Sequence, residues 1–247
     1  MIVLPQMKQI VIGMGLFCTF LVASCTTQPS LNQVNSPVMP KGFMYLDEAT
    51  KLPEIQLRYA TDDNFVGRPL AGYRGKRAIL RTEAASALKK VAEDFHKQGY
   101  TLVIYDAYRP HTAVMDISMW GNDPNDQKMK SVFYPNIDKK TVFGDKYLRN
   151  FSEHSRGVAV DVTLRNRKTG KLVNMGGFHD LLDPISATNY PGLTPEQRHN
   201  RHILKSTFEK HGFVNYKLEW WHYFLKDEPD INSYYLFPLH DEMKKAE

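Results

Sequence analysis

Apolar positions along the chain fall into periodic blocks separated by polar stretches, and the periods predict the elements. Ala84, Ala87, Leu88, Val91, Ala92 and Phe95 recur at helical spacing and stop at Gly99, predicting a helix over 83–98. Leu102, Val103, Ile104 and Tyr105 then form an apolar run of strand length, and Pro110 can open a second helix through Trp120. Residues 158–164 alternate around Asp161, and the KTGK stretch at 168–171 carries the chemistry of a hairpin turn. Thr194, Pro195 and Gln197 read as N-cap, N1 and N3 of a helix whose Ile203, Leu204, Thr207 and Phe208 face inward until Gly212. Residues 220–224 read as a final buried strand, and Tyr234, Tyr235, Leu236 and Phe237 predict that the tail docks on the domain. Helices interspersed with short strands predict an α+β fold, with helices packed around a largely antiparallel central sheet.

The N-terminal pattern differs. Lys8 precedes an uncharged, mostly apolar run over 10–23, shorter than the roughly 20 residues of a membrane-spanning helix and suited to a signal segment. Val22-Ala23-Ser24-Cys25 resembles a bacterial lipobox, in which the cysteine is acylated and becomes the mature N-terminus. Residues 1–24 are therefore expected to be a lipoprotein signal peptide, and 25–42 a lipidated Cys25 followed by a flexible tether rich in Ser, Thr, Asn, Gln and Pro. Export and membrane anchoring follow from that reading. With Thr26 after the cysteine, the periplasmic side of the outer membrane is the expected destination in a Gram-negative cell.

Composition narrows the chemistry. The 247 residues are 42% hydrophobic and 24% charged, as in one globular domain, and no repeat or second linker interrupts the chain after residue 43. A net charge of +5 with both signs interspersed argues against nucleic-acid binding. Cys18 and Cys25 are the only cysteines, so the rest of the chain forms neither disulfide nor thiolate metal site. There is no GxSxG either, and serine-elbow and thiol hydrolases lack their nucleophile.

Histidines and acids remain as candidates. His154 sits in the loop SEHSRG, Asp161 follows seven residues later inside an apolar strand, and Glu219-Trp220-Trp221-His222 adds an acid and a second histidine. Two imidazole nitrogens, a carboxylate oxygen and an open position make a three-ligand catalytic zinc site. The same residues also fit an Asp161–arginine pair beside two satisfied core histidines, and spacing leaves both readings open. His199 and His202 share a helix face with arginines and read as solvated, while 72–77 (GYRGKR) lacks the ending of a phosphate loop and reads as a turn.

The order of these motifs goes further. SxHxxGxAxD at 152–161 followed by ExxH at 219–222 resembles the signature of the M15 metallopeptidases, the D-alanyl-D-alanine peptidases that act on bacterial cell walls. Arg58-Tyr59-Ala60-Thr61 with Asn64-Phe65, Tyr108-Arg109-Pro110, Tyr134-Pro135-Asn136 and Asn174-Met175-Gly176 extend the resemblance to the VanX-type D-Ala-D-Ala dipeptidases, over about 46–225. The resemblance implies one Zn2+ per chain in a domain spanning 43–247, with His154, Asp161 and His222 as ligands. Glu219 is implied as general base, Arg109 as partner of the developing oxyanion, and Ser152 and Asp180 as groups near the substrate amine. Phe178-His179 departs from the family, which more often has Pro-Phe there.

The activity implied is hydrolysis of D-alanyl-D-alanine in cell-wall peptide turnover. A D,D-carboxypeptidase acting on peptidoglycan stem peptides is the alternative within the same chemistry. A non-catalytic, zinc-containing peptidoglycan-binding lipoprotein is the alternative outside it, against which the presence of both Glu219 and Arg109 argues. Residues three apart on a flat strand point to opposite faces, so for Glu219 and His222 both to face a metal the chain must bend, through a bulge or a turn before the strand, and Glu219 is expected at the strand's start.

Overall fold

The computed structural model describes residues 38–141, 148, 150–228 and 230–246, together with the backbone of Ser30–Asn32. The expected signal segment and Cys25 lie outside the described residues. Within them, no helix is long and apolar enough to cross a membrane.

The centre is a five-stranded sheet. Glu54–Ile55 (β1), Tyr100–Asp106 (β2), Ala159–Asn166 (β3), Phe213–Asn215 (β4) and His222–Leu225 (β5) stand in the order β1-β2-β3-β5-β4. Only β1–β2 is parallel, so the sheet is largely antiparallel as the pattern predicts. The hairpin turn forms too: Arg165 bridges Leu172, and Asn166 Oδ1 accepts from the backbone N–H of Lys168 and Thr169.

Helices Thr82–Lys97 (α1), His111–Asn122 (α2) and Pro195–Lys210 (α3) complete the frame. Their stripes decide where they sit. Leu88, Val91 and Phe95 of α1 and Leu204 and Phe208 of α3 join Val160, Val162 and Leu164 of β3 in one core, and Phe208 stacks on Tyr223 of β5 at 4.2 Å. The predicted capping box starts α3, with Thr194 Oγ1 accepting from Gln197 N and the Gln197 side chain accepting from Thr194 N. Side chains alternate along a strand, so Asp161 and Thr163 face away from α1 and α3, toward the loops.

Four expectations change. Ala159 to Leu164 are all buried, not alternately exposed, because loops roof the face that α1 and α3 leave open. The last sheet strand starts at His222, and Trp220 and Trp221 lie in the turn before it. Pro110 is the N-cap of α2 and not its first helical residue. The stretch expected to be a free tether is partly paired: Ser30–Asn32 runs parallel to Ser233–Tyr235, and Val38–Met39 to Lys244–Lys245, with Met39 buried. The tail docks as expected, with Phe237 stacked on Tyr108 at 4.1 Å.

Candidate active site

Sheet register brings the acids and one histidine into a row. Asp161 on β3 is paired across to His222 on β5 and to Asp106 on β2. The second pairing depends on a bulge. Ile104 opposes Val162 while Asp106 opposes Asp161, so Tyr105 is the extra residue that lets Asp106 join the row.

His154 enters from a 3-10 turn, Glu153–Arg156, and its own backbone N–H donates to the N-cap Ser152 Oγ. Gly157 ends that turn at φ +75°, where a side chain would run into the Phe43 ring and be strained whatever the space. The spacing SxHxxGxAxD thus has a geometric reason: cap, inward-facing histidine, left-handed exit, strand. His154 donates through Nδ1 to Ala107 O at 2.7 Å, which leaves the Nε2 lone pair facing inward.

Three donor atoms converge there. His154 Nε2 and His222 Nδ1 are 3.1 Å apart, and Asp161 Oδ1 lies 3.3 Å from the first and 3.0 Å from the second. Ligands about 2.0–2.1 Å from a tetrahedral zinc are separated by roughly 3.3 Å, so the set fits that ion. Burial works against charge on Asp161, yet His154, His179 and His222 outweigh it and hold this carboxyl well below the usual range. A carboxylate kept ionised beside two imidazoles is the state a cation needs.

Glu219 lies in the turn ahead of β5, where His222 N donates to Glu219 O at 3.3 Å. That tight turn replaces strand alternation and brings both side chains to one cavity, as the ExxH spacing required. Asn215 Nδ2 fixes the turn by donating to the carbonyls of Glu219 and His222. Burial pushes the Glu219 carboxyl up to about 8, with Asp161 and Asp180 adding to the shift and His222 and Arg109 opposing it.

Arg109 is pinned from two sides. Its Nε donates to Asp106 Oδ2 at 2.8 Å and its Nη2 to Asp161 Oδ2 at 3.2 Å, and the guanidinium lies over the Tyr59 ring. The structural pair with Asp106 and a place on the cavity wall therefore coexist. Asp106 is itself held by Tyr73 Oη at 2.6 Å.

Asp180 is buried at φ +66°, in the left-handed region that few residues other than glycine adopt. Its Oδ1 accepts from Tyr59 Oη at 3.1 Å, while its Oδ2 is buried without a hydrogen-bond partner. Burial raises this carboxyl above its ordinary value, although His179 and Arg109 oppose the shift. Ser152, His154, Asp161, Asp180, Glu219, His222 and Arg109 all line one cavity of about 290 Å3. That volume is at the lower end of the roughly 300–1,000 Å3 common for small-molecule sites. His199 and His202 are exposed on α3 and line no part of it.

Residue-level reading assigns no role to Tyr73, Tyr59 or His179, and takes Asp106 only as an alternative ion-pair partner of Arg109. Asp106 carried a usable signal, a carboxylate at the end of an apolar strand, the same feature that singled out Asp161. Tyr59 stood within a quoted motif without a role. Tyr73 gave no signal, because it reaches Asp106 from a distant loop.

An imidazole–carboxylate donor set opening on the same small cavity as a glutamate and a fixed arginine defines a metal-dependent hydrolase of peptide-sized substrates. The family model described as D-ala-D-ala dipeptidase, peptidase M15, matches residues 39–240, and the chain belongs to that family. It is a dipeptidase by class. A D-alanyl-D-alanine dipeptidase of Enterococcus faecium is 41% identical over 201 residues, covering 81% of this chain and 100% of the relative. One from Streptomyces coelicolor is 38% identical over 201 residues, with the same coverage of 81% and 100%. One from Escherichia coli K12 is 35% identical over 181 residues, covering 73% of this chain and 81% of that protein.

Proposed function

We propose that this dipeptidase hydrolyses D-alanyl-D-alanine to two D-alanines, with one zinc ion held by His154, Asp161 and His222. The observation that carries the reading is Asp180 Oδ2, a buried acceptor without a partner in the cavity that holds the donor cluster. A free ammonium group meets it with a charge-assisted hydrogen bond, whereas a blocked amine offers only a neutral amide N–H.

Zinc bound there supplies Lewis acidity, making water nucleophilic near neutral pH and polarising a carbonyl. Glu219 takes the proton of the attacking water and returns it to the leaving amine. A carboxyl pushed up to about 8 is near the range in which a group both accepts and gives back a proton. Arg109, its Nε and Nη2 already tied down, donates toward the carbonyl oxygen as negative charge develops, and needs no reorganisation to do so. Asp180 and Ser152 orient the substrate ammonium, which sets the reacting carbonyl in register with Glu219.

The biological setting proposed is turnover of cell-wall peptides outside the cytoplasm, after export directed by residues 1–24 and lipid attachment at Cys25. Radiolabelled palmitate incorporated by wild type and lost in Cys25→Ala tests the anchor. The activity is tested by D-alanine release from free D-Ala-D-Ala and from its N-acylated form, with chelator and zinc add-back. Zinc-dependent release from the free dipeptide is expected. Release chiefly from the blocked substrate moves the assignment to a D,D-carboxypeptidase, and none from either, with zinc bound, moves it to a binding lipoprotein.

A further inference from the structure

Two carboxylates with different duties lie close together in this cavity. Asp161 turns Oδ1 to the donor cluster and Asp180 leaves Oδ2 unpartnered, while their other oxygens face the same imidazole. His179 Nε2 is 3.4 Å from Asp161 Oδ2 and 3.4 Å from Asp180 Oδ1. The ring is fully buried, with Tyr105 and Trp221 packed against it at centroid distances of 4.9 and 5.5 Å.

Both atoms facing Nε2 are acceptors, so Nε2 carries the hydrogen. Nδ1 is buried without a partner, and a bare lone pair there costs less than an unmet N–H. A ring in this slot serves packing; a donor at Nε2 is not needed for packing and is placed where two acceptors would otherwise repel. Phenylalanine at this position keeps the ring and deletes the donor.

We propose that His179 is a positioning residue whose one N–H couples the metal ligand Asp161 to the amine acceptor Asp180. The proposal rests on the zinc and amine-recognition reading above. Without the donor, Asp161 Oδ2 keeps Arg109 at 3.2 Å and Asp180 Oδ1 keeps Tyr59 at 3.1 Å. Each carboxylate then loosens without leaving its place, and the metal grip and the amine grip weaken together.

The test pairs metal affinity with kinetics in the full protein. Zinc affinity is read without substrate, by equilibrium competition with a chromogenic chelator, and KM and kcat are read on free D-Ala-D-Ala. Loss of a hydrogen bond behind a metal ligand costs about 10- to 100-fold in affinity or activity. His179→Phe is expected to lose zinc affinity in that range and to raise KM more than it lowers kcat. His179→Gln, which places an amide N–H near the same point, is expected to recover both in part, whereas His179→Met, of similar length and without a donor, is not.

The Gln–Met comparison stands by itself if the phenylalanine variant does not fold. Wild-type zinc affinity and KM in the donor-less variants overturn the coupling, as does equal damage in Gln and Met, which marks a packing role. A wild-type protein that takes up no zinc defeats the parent reading and this one with it. Normal wild-type binding with unmoved variants defeats this one alone.

Discussion

Replacing Asp180 by asparagine tests the proposed recognition of the amine. The side chain keeps its size, and an asparagine Oδ1 still accepts from Tyr59 Oη, now at 3.1 Å. What changes is the other oxygen, which has no protein partner and becomes an NH2 donor facing an ammonium. A hydrogen bond to a charged group contributes about 1.5–3 kcal/mol, and every 1.4 kcal/mol is about tenfold. Asp180→Asn should therefore lower kcat/KM for free D-Ala-D-Ala by roughly 10- to 150-fold. Any residual activity on an N-acylated dipeptide, which offers no ammonium, should move by less than about threefold, far below that range. The assay is D-alanine release coupled to a D-amino-acid oxidase, over a substrate range wide enough to separate KM from kcat. Equal loss on both substrates, or none on the free dipeptide, would refute the argument that Oδ2 receives the amine.

Other outcomes follow from other parts of the structure. Glu219→Gln should cut kcat by about 10²–10⁴-fold with zinc content by metal analysis unchanged; near-normal turnover would remove Glu219 from the proton path. Gly157→Ala should destabilise by more than about 2 kcal/mol in urea unfolding, because the φ of +75° and the Phe43 ring both oppose a side chain. The Asp94 carboxyl is held down to about 2, from an ordinary 3.8, by hydrogen bonds from Lys210 and His211 that tie α1 to α3. A folded value below the unfolded one gives stability that is complete above the unfolded pKa and lost as pH falls through the folded one. The stability gap between wild type and Asp94→Asn should therefore be open near about pH 5 and close toward about pH 2; a gap independent of pH would sink the assignment.

Features with a local cause were legible in the sequence. The stripe of α1, the capping box of α3 and the hairpin turn at 168–171 each follow from residues a few positions apart, and each is found. The order of His154, Asp161, Glu219 and His222 was legible as a motif, and the need for a bend before His222 followed from strand geometry alone. What escaped depends on pairing across the chain. The bulge at Tyr105 exists only relative to β3, so nothing in residues 100–106 announces that Asp106 will stand beside Asp161. The burial of Ala159 to Leu164 on both faces depends on loops from elsewhere, and a period-2 reading of that strand alone could not supply them. The pairing of Val38–Met39 with Lys244–Lys245 is of the same kind, joining stretches whose composition suggested only a linker and a tail.

That last pairing has a mechanical consequence. Val38–Met39 and Lys244–Lys245 run parallel, so tension applied between the two ends of the chain drags them past each other lengthwise. Their cross-links share the load at once and do not open one by one like a zipper. When they give way, the slack comes first from the outer segments, since β2, β3 and β5 are stitched to one another well inside both ends. A pull on either end is thus absorbed at the rim, and the row of Asp106, Asp161 and His222 stays in line until the rim has parted.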